Sequence, residues 1–181
     1  MKIVFLGPPG AGKGTQAKLL PEFYQISTGE VIRTAFKNKD PILLKYQKSI
    51  EQGNLLPDEP IFDLIEQEIK KIPAESKGYI LDGAVRTFPQ AKFVLKKGLG
   101  EIFIIFSLSE EQAKKRIEKR RLEENRKEDS PESVEKRFHD YNIQNPPILE
   151  YLFNNALNYN SIDASLSIED VHKNLLRILK N

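Results

Sequence analysis

The chain contains no cysteine, which removes disulfides and thiolate metal ligands together and sets no requirement for an oxidising compartment. No apolar run approaches the ~18 residues that a membrane-spanning helix needs. Met1 and Lys2 lead straight into an apolar strand pattern, so no signal peptide is expected and the cytoplasm is the expected location. Histidine is scarce: His139 and His172 stand without the partner spacing of a metal or catalytic pair, and both are expected on helix surfaces. Charge of one sign is lacking too. The 28 Lys and Arg against 26 Asp and Glu leave a net charge of +2, too little to point to nucleic acid or to a membrane surface. There is no internal repeat, low-complexity tract or linker. What is present is a chain of 181 residues, 39% apolar and 30% charged, long enough for one domain with a real core.

The most informative stretch is GPPGAGKGT, comprising Gly7, Pro8, Pro9, Gly10, Ala11, Gly12, Lys13, Gly14 and Thr15. The apolar, β-branched run Ile3 to Leu6 precedes it and a helical pattern, Lys13 to Leu20, follows. Strand, glycine-rich turn and helix start make an anion cradle, with backbone N–H groups pointing inward and a lysine as mobile point charge. A P-loop commonly places Ser or Thr directly after the lysine. Here Gly14 intervenes and the hydroxyl arrives at Thr15, which argues against that hydroxyl as a primary magnesium ligand. An ordinary βα turn does not require three glycines and a lysine in this register. The stretch points to a nucleoside polyphosphate.

Further along, Gln25 to Ser27 reads as a short strand, and Ser27 or Thr28 can cap the helix carrying Arg33. A polar helix is expected over Pro41 to Gln52, with Gly53 as its C-cap. Another begins within Leu55 to Glu59, with Ile61, Leu64, Ile65 and Ile69 at helical spacing. Gly78 to Gly83 carries a strand signal ending in an acid and a glycine, Phe88 to Lys97 reads as a helix, and Glu101 to Ser107 as a doubly buried strand. A basic helix follows from Glu110 to Arg121, then a charged loop over Leu122 to Ser130. Ser130 and Pro131 open a helix with Val134, Phe138 and Tyr141 on one side, which Pro146 and Pro147 are expected to interrupt. A last strand spans Tyr159 to Asp163. The closing helix runs from Ser167 to Lys180, with Ile168, Val171, Leu175, Ile178 and Leu179 expected inward. Strands alternating with helices predict an α/β fold: a parallel P-loop sheet flanked by helices on both faces.

Phosphoryl transfer asks the protein mainly to hold phosphates, place the acceptor in line and surround the transferring group with positive charge. Asp82 ends a buried strand, at the edge where a parallel sheet presents side chains to a ligand crevice; it is a candidate to hold magnesium through water. Arg33, Arg86, Arg116, Arg120, Arg126 and Arg137 lie near element ends or beside loops, and Arg116 and Arg120 share one helix face. Together they suggest a phosphate clamp. Arg121 and Arg177, and the acids among Glu123 to Asp129, are expected to be solvated.

Four segments in order, GPPGAGKGT, QISTGEVIR, GYILDGAVRTFPQA and RIEKRRLEENRKED, followed by the helix bearing Arg137, resemble the adenylate kinase family over essentially the whole chain. The resemblance implies reversible transfer from MgATP to AMP giving two ADP, and so a role in adenine nucleotide balance. It implies a core (1–27, 58–119 and 131–181), an AMP-binding flap (28–57) and a short lid (120–130). ATP would lie on Gly7 to Thr15, with Lys13 on the β and γ phosphates and Arg116 on the adenine. AMP would meet Thr28, Gly29, Arg33, Leu55, Leu56, Gly83, Arg86 and Gln90, the last reading the adenine edge. Arg120, Arg126 and Arg137 would surround the transferred group with Lys13 and Arg86. Asp82 would hold Mg²⁺, and Glu128 and Asp129 would be the paired acids of the lid hinge. The implied state is a monomer whose partners are AMP, ATP and ADP, without nucleic acid or membrane.

The chain departs from the family in places. Ala84 and Val85 stand where Phe-Pro is usual, and the bond between them is expected to be trans because a non-proline cis bond costs ~2.5–4 kcal/mol. The lid is short and, without cysteine, cannot hold a structural zinc. A related CMP or UMP kinase and a non-catalytic nucleotide sensor are the alternatives. Thr28 and Gln90 argue against the first, and retention of Lys13, Asp82, Arg86 and the later arginines argues against the second.

Overall fold

In the computed structural model, which describes residues 1–124, 126–156 and 158–180, the run Lys2–Leu6 forms strand β1. Its side chains alternate between two cores. Val4 and Leu6 enter one and Ile3 and Phe5 the other, as expected of a strand covered on both faces. β1 is central in a five-stranded sheet of order β2-β3-β1-β4-β5. The other strands are β2 (Tyr24–Ser27), β3 (Tyr79–Asp82), β4 (Ile102–Ser107) and β5 (Tyr159–Asp163). All pairings are parallel, and Asp82 stands opposite both Phe5 and Ser27. The carboxyl ends of β1, β2 and β3 therefore end together, which puts their following loops in one crevice.

Helices α1 (Lys13–Lys18) and α9 (Ile168–Lys180) supply Ala17, Val171 and Leu175 to the core containing Ile3 and Phe5. The opposite core takes α5 (Asp58–Ile69), α6 (Phe88–Lys96) and the later part of α8 (Pro131–Asn155). Helix α7 (Glu110–Glu124) packs on α8 through Ala113, Ile117, Val134 and Phe138. The excursion after β2 holds α2 (Thr28–Lys37), α3 (Pro41–Leu44) and α4 (Gln47–Glu51). Asn125, inside the expected lid, lies outside the described residues. The Ala84–Val85 bond is trans, and among the described residues no peptide bond is cis.

Several local expectations need correction. The single helix expected over 41–52 is two, because Tyr46 N–H bonds the carbonyl of Leu43 and closes the first turn early. Leu122 to Glu124 continue α7 rather than forming a loop, as befits leucine and glutamates, which are strong helix formers. Pro146 and Pro147 do not interrupt α8. Both prolines are exposed, as are Asn142 and Ile143 four residues earlier, whose carbonyls lose their partners to the rings; Ile148 and Leu152 beyond are buried. Water can serve the freed carbonyls while the core holds the helix through. Ile168, expected inward, is 54% exposed; it meets α1 through its carbonyl, which accepts from Gln16 Nε2 at 2.9 Å. His172 is not a bare surface residue. It is half-buried, with Nδ1 3.1 Å from Gln16 Oε1.

Candidate active site

The phosphate loop leaves β1 with Gly7, Gly10 and Gly12 all at positive φ. Two of these glycines are required by space as well as by conformation. A Cβ on Gly7 would stand 2.5 Å from the carbonyl oxygen of Phe106, and one on Gly10 2.7 Å from that of Ala113. The loop thereby packs its outer side on β4 and α7, leaving its concave side for a ligand. Lys13 crosses the loop, donating from Nζ to the carbonyls of Gly7 and Pro8 at 2.8 and 2.9 Å. Arg116 reaches over the same loop, its Nη1 4.0 Å from where a Cβ on Gly12 would be. Thr15 is exposed.

Asp82, at the end of β3, faces the start of α1: a Cβ on Gly14 would lie 3.3 Å from its Oδ2. Burial pushes the Asp82 carboxyl pKa up, while Lys13 and Arg86 pull it back. Burial lowers Lys13 to about 8; Asp82 opposes that, and Arg86, Arg137 and Arg120 reinforce it. Arg86 is lowered to about 10, first by burial of its guanidinium and then by Arg137. Its side chain as a whole is exposed. Four cations thus crowd one place with Asp82 among them. Such a place favours a multiply charged anion.

Beside this cluster lies an apolar pocket between α2, α4, α5 and the loop after β3. Thr28, Leu55, Leu56, Gly83, Arg86 and Gln90 line it, as expected; Ile32, Ile50, Asn54 and Ile61 line it too. Of the isoleucines, Ile61 stands in a helical apolar spacing that marks it only as core, and Ile32 and Ile50 carry no signal of their own. Thr28 is 1% exposed, and its Oγ1 donates to Gly83 O at 2.9 Å. Arg86 Nε donates to the same carbonyl at 3.0 Å. Arg33 passes close to Gly29, where a Cβ would be 3.3 Å from Nη1. Ser27, rather than Thr28, caps α2, accepting from Glu30 N–H at 3.5 Å.

The far wall comes from the segment after α7. Asp129, expected to be solvated, is 1% exposed. Its Oδ2 and Oδ1 accept from Arg120 Nε and Nη2 at 2.7 and 2.6 Å, and Oδ1 also from Arg137 Nη1 at 2.8 Å. Burial alone would raise its pKa, but the two arginines outweigh that and hold it below the usual carboxylate value. Arg126 turns instead to Glu124 and is not among the charges acting on Lys13. Arg33 Nη1 meets Glu128 Oε1 at 3.0 Å, joining segments 28–57 and 120–130 directly. The end of α4 also rests on α8: Ser133 Oγ donates to Glu51 O at 2.6 Å, and a Cβ on Gly53 would lie 2.7 Å from Ser133 O.

A polyphosphate cradle on a five-stranded parallel sheet, opening across Lys13 and Arg86 onto an apolar slot lined by the Gln90 amide, defines a P-loop kinase of small nucleotides. Comparison with known proteins narrows this. The adenylate kinase family model matches residues 5–157. The chain is 35% identical over 210 aligned positions to the adenylate kinase of Borrelia recurrentis, covering 99% of this chain and 96% of that protein. It is 33% identical over 184 positions to that of Leptospira biflexa, covering 97% and 98%. It is 37% identical over 187 positions to that of Methylobacterium nodulans, covering 96% and 93%. The chain belongs to the adenylate kinase family, whose reaction moves a phosphoryl group reversibly from ATP to AMP to give two ADP.

Proposed function

We propose that each half of the crevice holds one nucleotide and that the two phosphate chains meet over Lys13. In this reading Gly7 to Thr15 cradle the ATP phosphates and Arg116 lies on the ATP adenine. AMP fills the apolar slot, with its phosphate on Arg33 and Arg86, Leu55 and Leu56 beside the base, and the Gln90 amide at its edge. Arg120 and Arg137, with Arg126 once it leaves Glu124, complete the charge around the transferred group. The observation that carries this is geometric: Lys13 spans the phosphate loop through Gly7 O and Pro8 O, Arg86 lines the adjoining slot, and Arg137 lies near enough to bear on both, so a phosphate chain laid between them would meet several cations.

Asp82 is the carboxylate placed for Mg²⁺. Among the described residues no group of three or more His, Cys, Asp or Glu could hold a metal. One carboxylate completed by phosphates and water is the usual arrangement for this ion. Asp82 would hold the ion, which would supply positive charge beside the phosphates. The protein's own part is to align donor and acceptor and exclude water as segments 28–57 and 120–130 close as flap and lid. We further read the protein as a cytoplasmic monomer that maintains adenine nucleotide balance. Among the described residues no helix is long and apolar enough to cross a membrane.

Initial-rate kinetics of Arg86→Ala test the division of labour. Turnover should fall on the order of 10²-fold, with AMP saturation weakened and ATP saturation retained. Near-full turnover in the folded variant would refute the assignment.

A further inference from the structure

Asp58 is the first residue of α5, where the excursion 28–57 returns to the core. Its Oδ1 accepts two hydrogen bonds, from Thr87 Oγ1 at 2.7 Å and from Gln90 Nε2 at 2.8 Å. The other end of the Gln90 amide, Oε1, accepts from the backbone N–H of Arg86 at 2.7 Å. Gln90 is 2% exposed and lines the apolar slot. A carboxylate can only accept and a backbone N–H can only donate. Both ends of this amide are therefore assigned by partners that cannot exchange roles, with nitrogen toward Asp58 and oxygen toward Arg86.

We propose that Asp58 is a positioning residue for base selection, fixing the Gln90 amide so that the slot takes a 6-aminopurine and rejects a 6-oxopurine. The proposal rests on Gln90 being the group that meets the base. A 6-aminopurine offers an amino donor beside a ring-nitrogen acceptor. The second lone pair of Oε1 and the second N–H of Nε2 match that pair in the orientation observed. A 6-oxopurine reverses the pattern, presenting a carbonyl at C6 and an N–H at N1, and so requires the amide turned over. Turning it would set Oε1 against the Asp58 carboxylate and the NH₂ group against Arg86 N–H. Two hydrogen bonds, one of them to a charged group, would become repulsive contacts at a buried site. Thr87 cannot relieve this, because its Oγ1, the donor to Asp58, also accepts from Gln90 N–H at 3.3 Å and caps α6.

The test compares AMP with IMP, which differ only at the purine 6-position and N1, as acceptors with saturating MgATP. Asp58→Asn keeps the shape and removes the charge. Because an amide can turn to suit its neighbour, it should tolerate a reversed Gln90. The ratio of kcat/KM for AMP over IMP should fall on the order of tenfold or more, with KM for ATP unchanged. Asp58→Ser, which also removes the carboxylate, serves if the Asn variant does not fold. An unchanged ratio in the folded variant would overturn the proposal. Gln90→Leu separates the two levels of the claim. If it collapses the ratio while the Asp58 variants keep it, Gln90 reads the base without help from Asp58. If Gln90→Leu itself leaves the ratio intact, Gln90 is not the reader, and both statements fall.

Discussion

Lys13 is held at a cost, and removing it should make the free protein more stable while abolishing its work. Burial sets its pKa at about 8, against an ordinary value of 10.5. Below pH 8 both folded and unfolded chains carry the proton, and the folded state bears the full cost of a desolvated ammonium. Between pH 8 and 10.5 the unfolded chain binds more protons than the folded one, so this group's contribution to stability rises with pH. A fall from 10.5 to about 8 corresponds to roughly 3 kcal/mol. Two hydrogen bonds, to Gly7 O and Pro8 O, offset part of this at ~1 kcal/mol each. Lys13→Met should therefore stabilise the nucleotide-free protein by roughly 1–2 kcal/mol at pH 7, and the gain should shrink toward pH 10. Urea unfolding of both proteins at pH 7 and 9.5 measures the difference, in which titrating groups that are not coupled to Lys13 cancel. In the same preparations turnover should fall on the order of 10²-fold or more. A Met variant less stable than wild type at pH 7, or a gain independent of pH, would refute the reasoning.

Three other perturbations follow from the contacts around the cleft. Glu128→Gln removes the carboxylate that occupies Arg33 in the free protein; since a partly exposed pair is worth ~0.2–1 kcal/mol, KM for AMP should drop by up to about fivefold, and a rise would contradict competition for Arg33. Gly53→Ala places a methyl 2.7 Å from Ser133 O at a φ of +86°, so amides in 28–57 should exchange faster and lose the protection that a mimic joining two adenosines through phosphates gives to wild type. Unchanged exchange would show that α4 does not need this close approach. Asp129→Asn leaves two guanidiniums without their shared anion and should cost roughly 2–4 kcal/mol at pH 7. Because the folded pKa of Asp129 lies below its ordinary 3.8, its stabilisation is present above that value and fades as pH falls through the folded pKa. The difference between variant and wild type in chemical denaturation should narrow there, and a constant difference would count against the ion cluster.

Features with a short-range cause could be read from the chain itself. Three glycines and a lysine between a strand pattern and a helix pattern point to a phosphate loop, and the alternating burial of Ile3 to Leu6 follows from one run of apolar residues. Ser130 with Pro131 starts a helix by local geometry alone. What could not be read depends on partners far along the chain. Asp129 looks like one acid in a charged run until Arg120 and Arg137 close on it, and Glu128 meets Arg33 across 95 positions. Pro146 and Pro147 are helix breakers by rule, tolerated on a stretch of α8 where they and the residues four positions earlier are exposed. Ile61 carries only a hydrophobic pattern, which cannot say whether a side chain fills a core or lines a pocket, and Ile32 and Ile50 carry no signal of their own. Asp58 opens a helix like many acids, and its tie to Thr87 and Gln90 exists only once α5 and α6 are packed together.

Following ATP, AMP and Mg²⁺ with the purified protein by phosphorus NMR tests the central claim most directly. Two ADP should appear for each ATP consumed, with no inorganic phosphate, and ATP should persist when AMP is withheld. Release of phosphate from ATP in the absence of AMP, or no ADP when both nucleotides and the metal are present, would contradict a cleft that brings two phosphate chains together over Lys13 and keeps water from the transferring group.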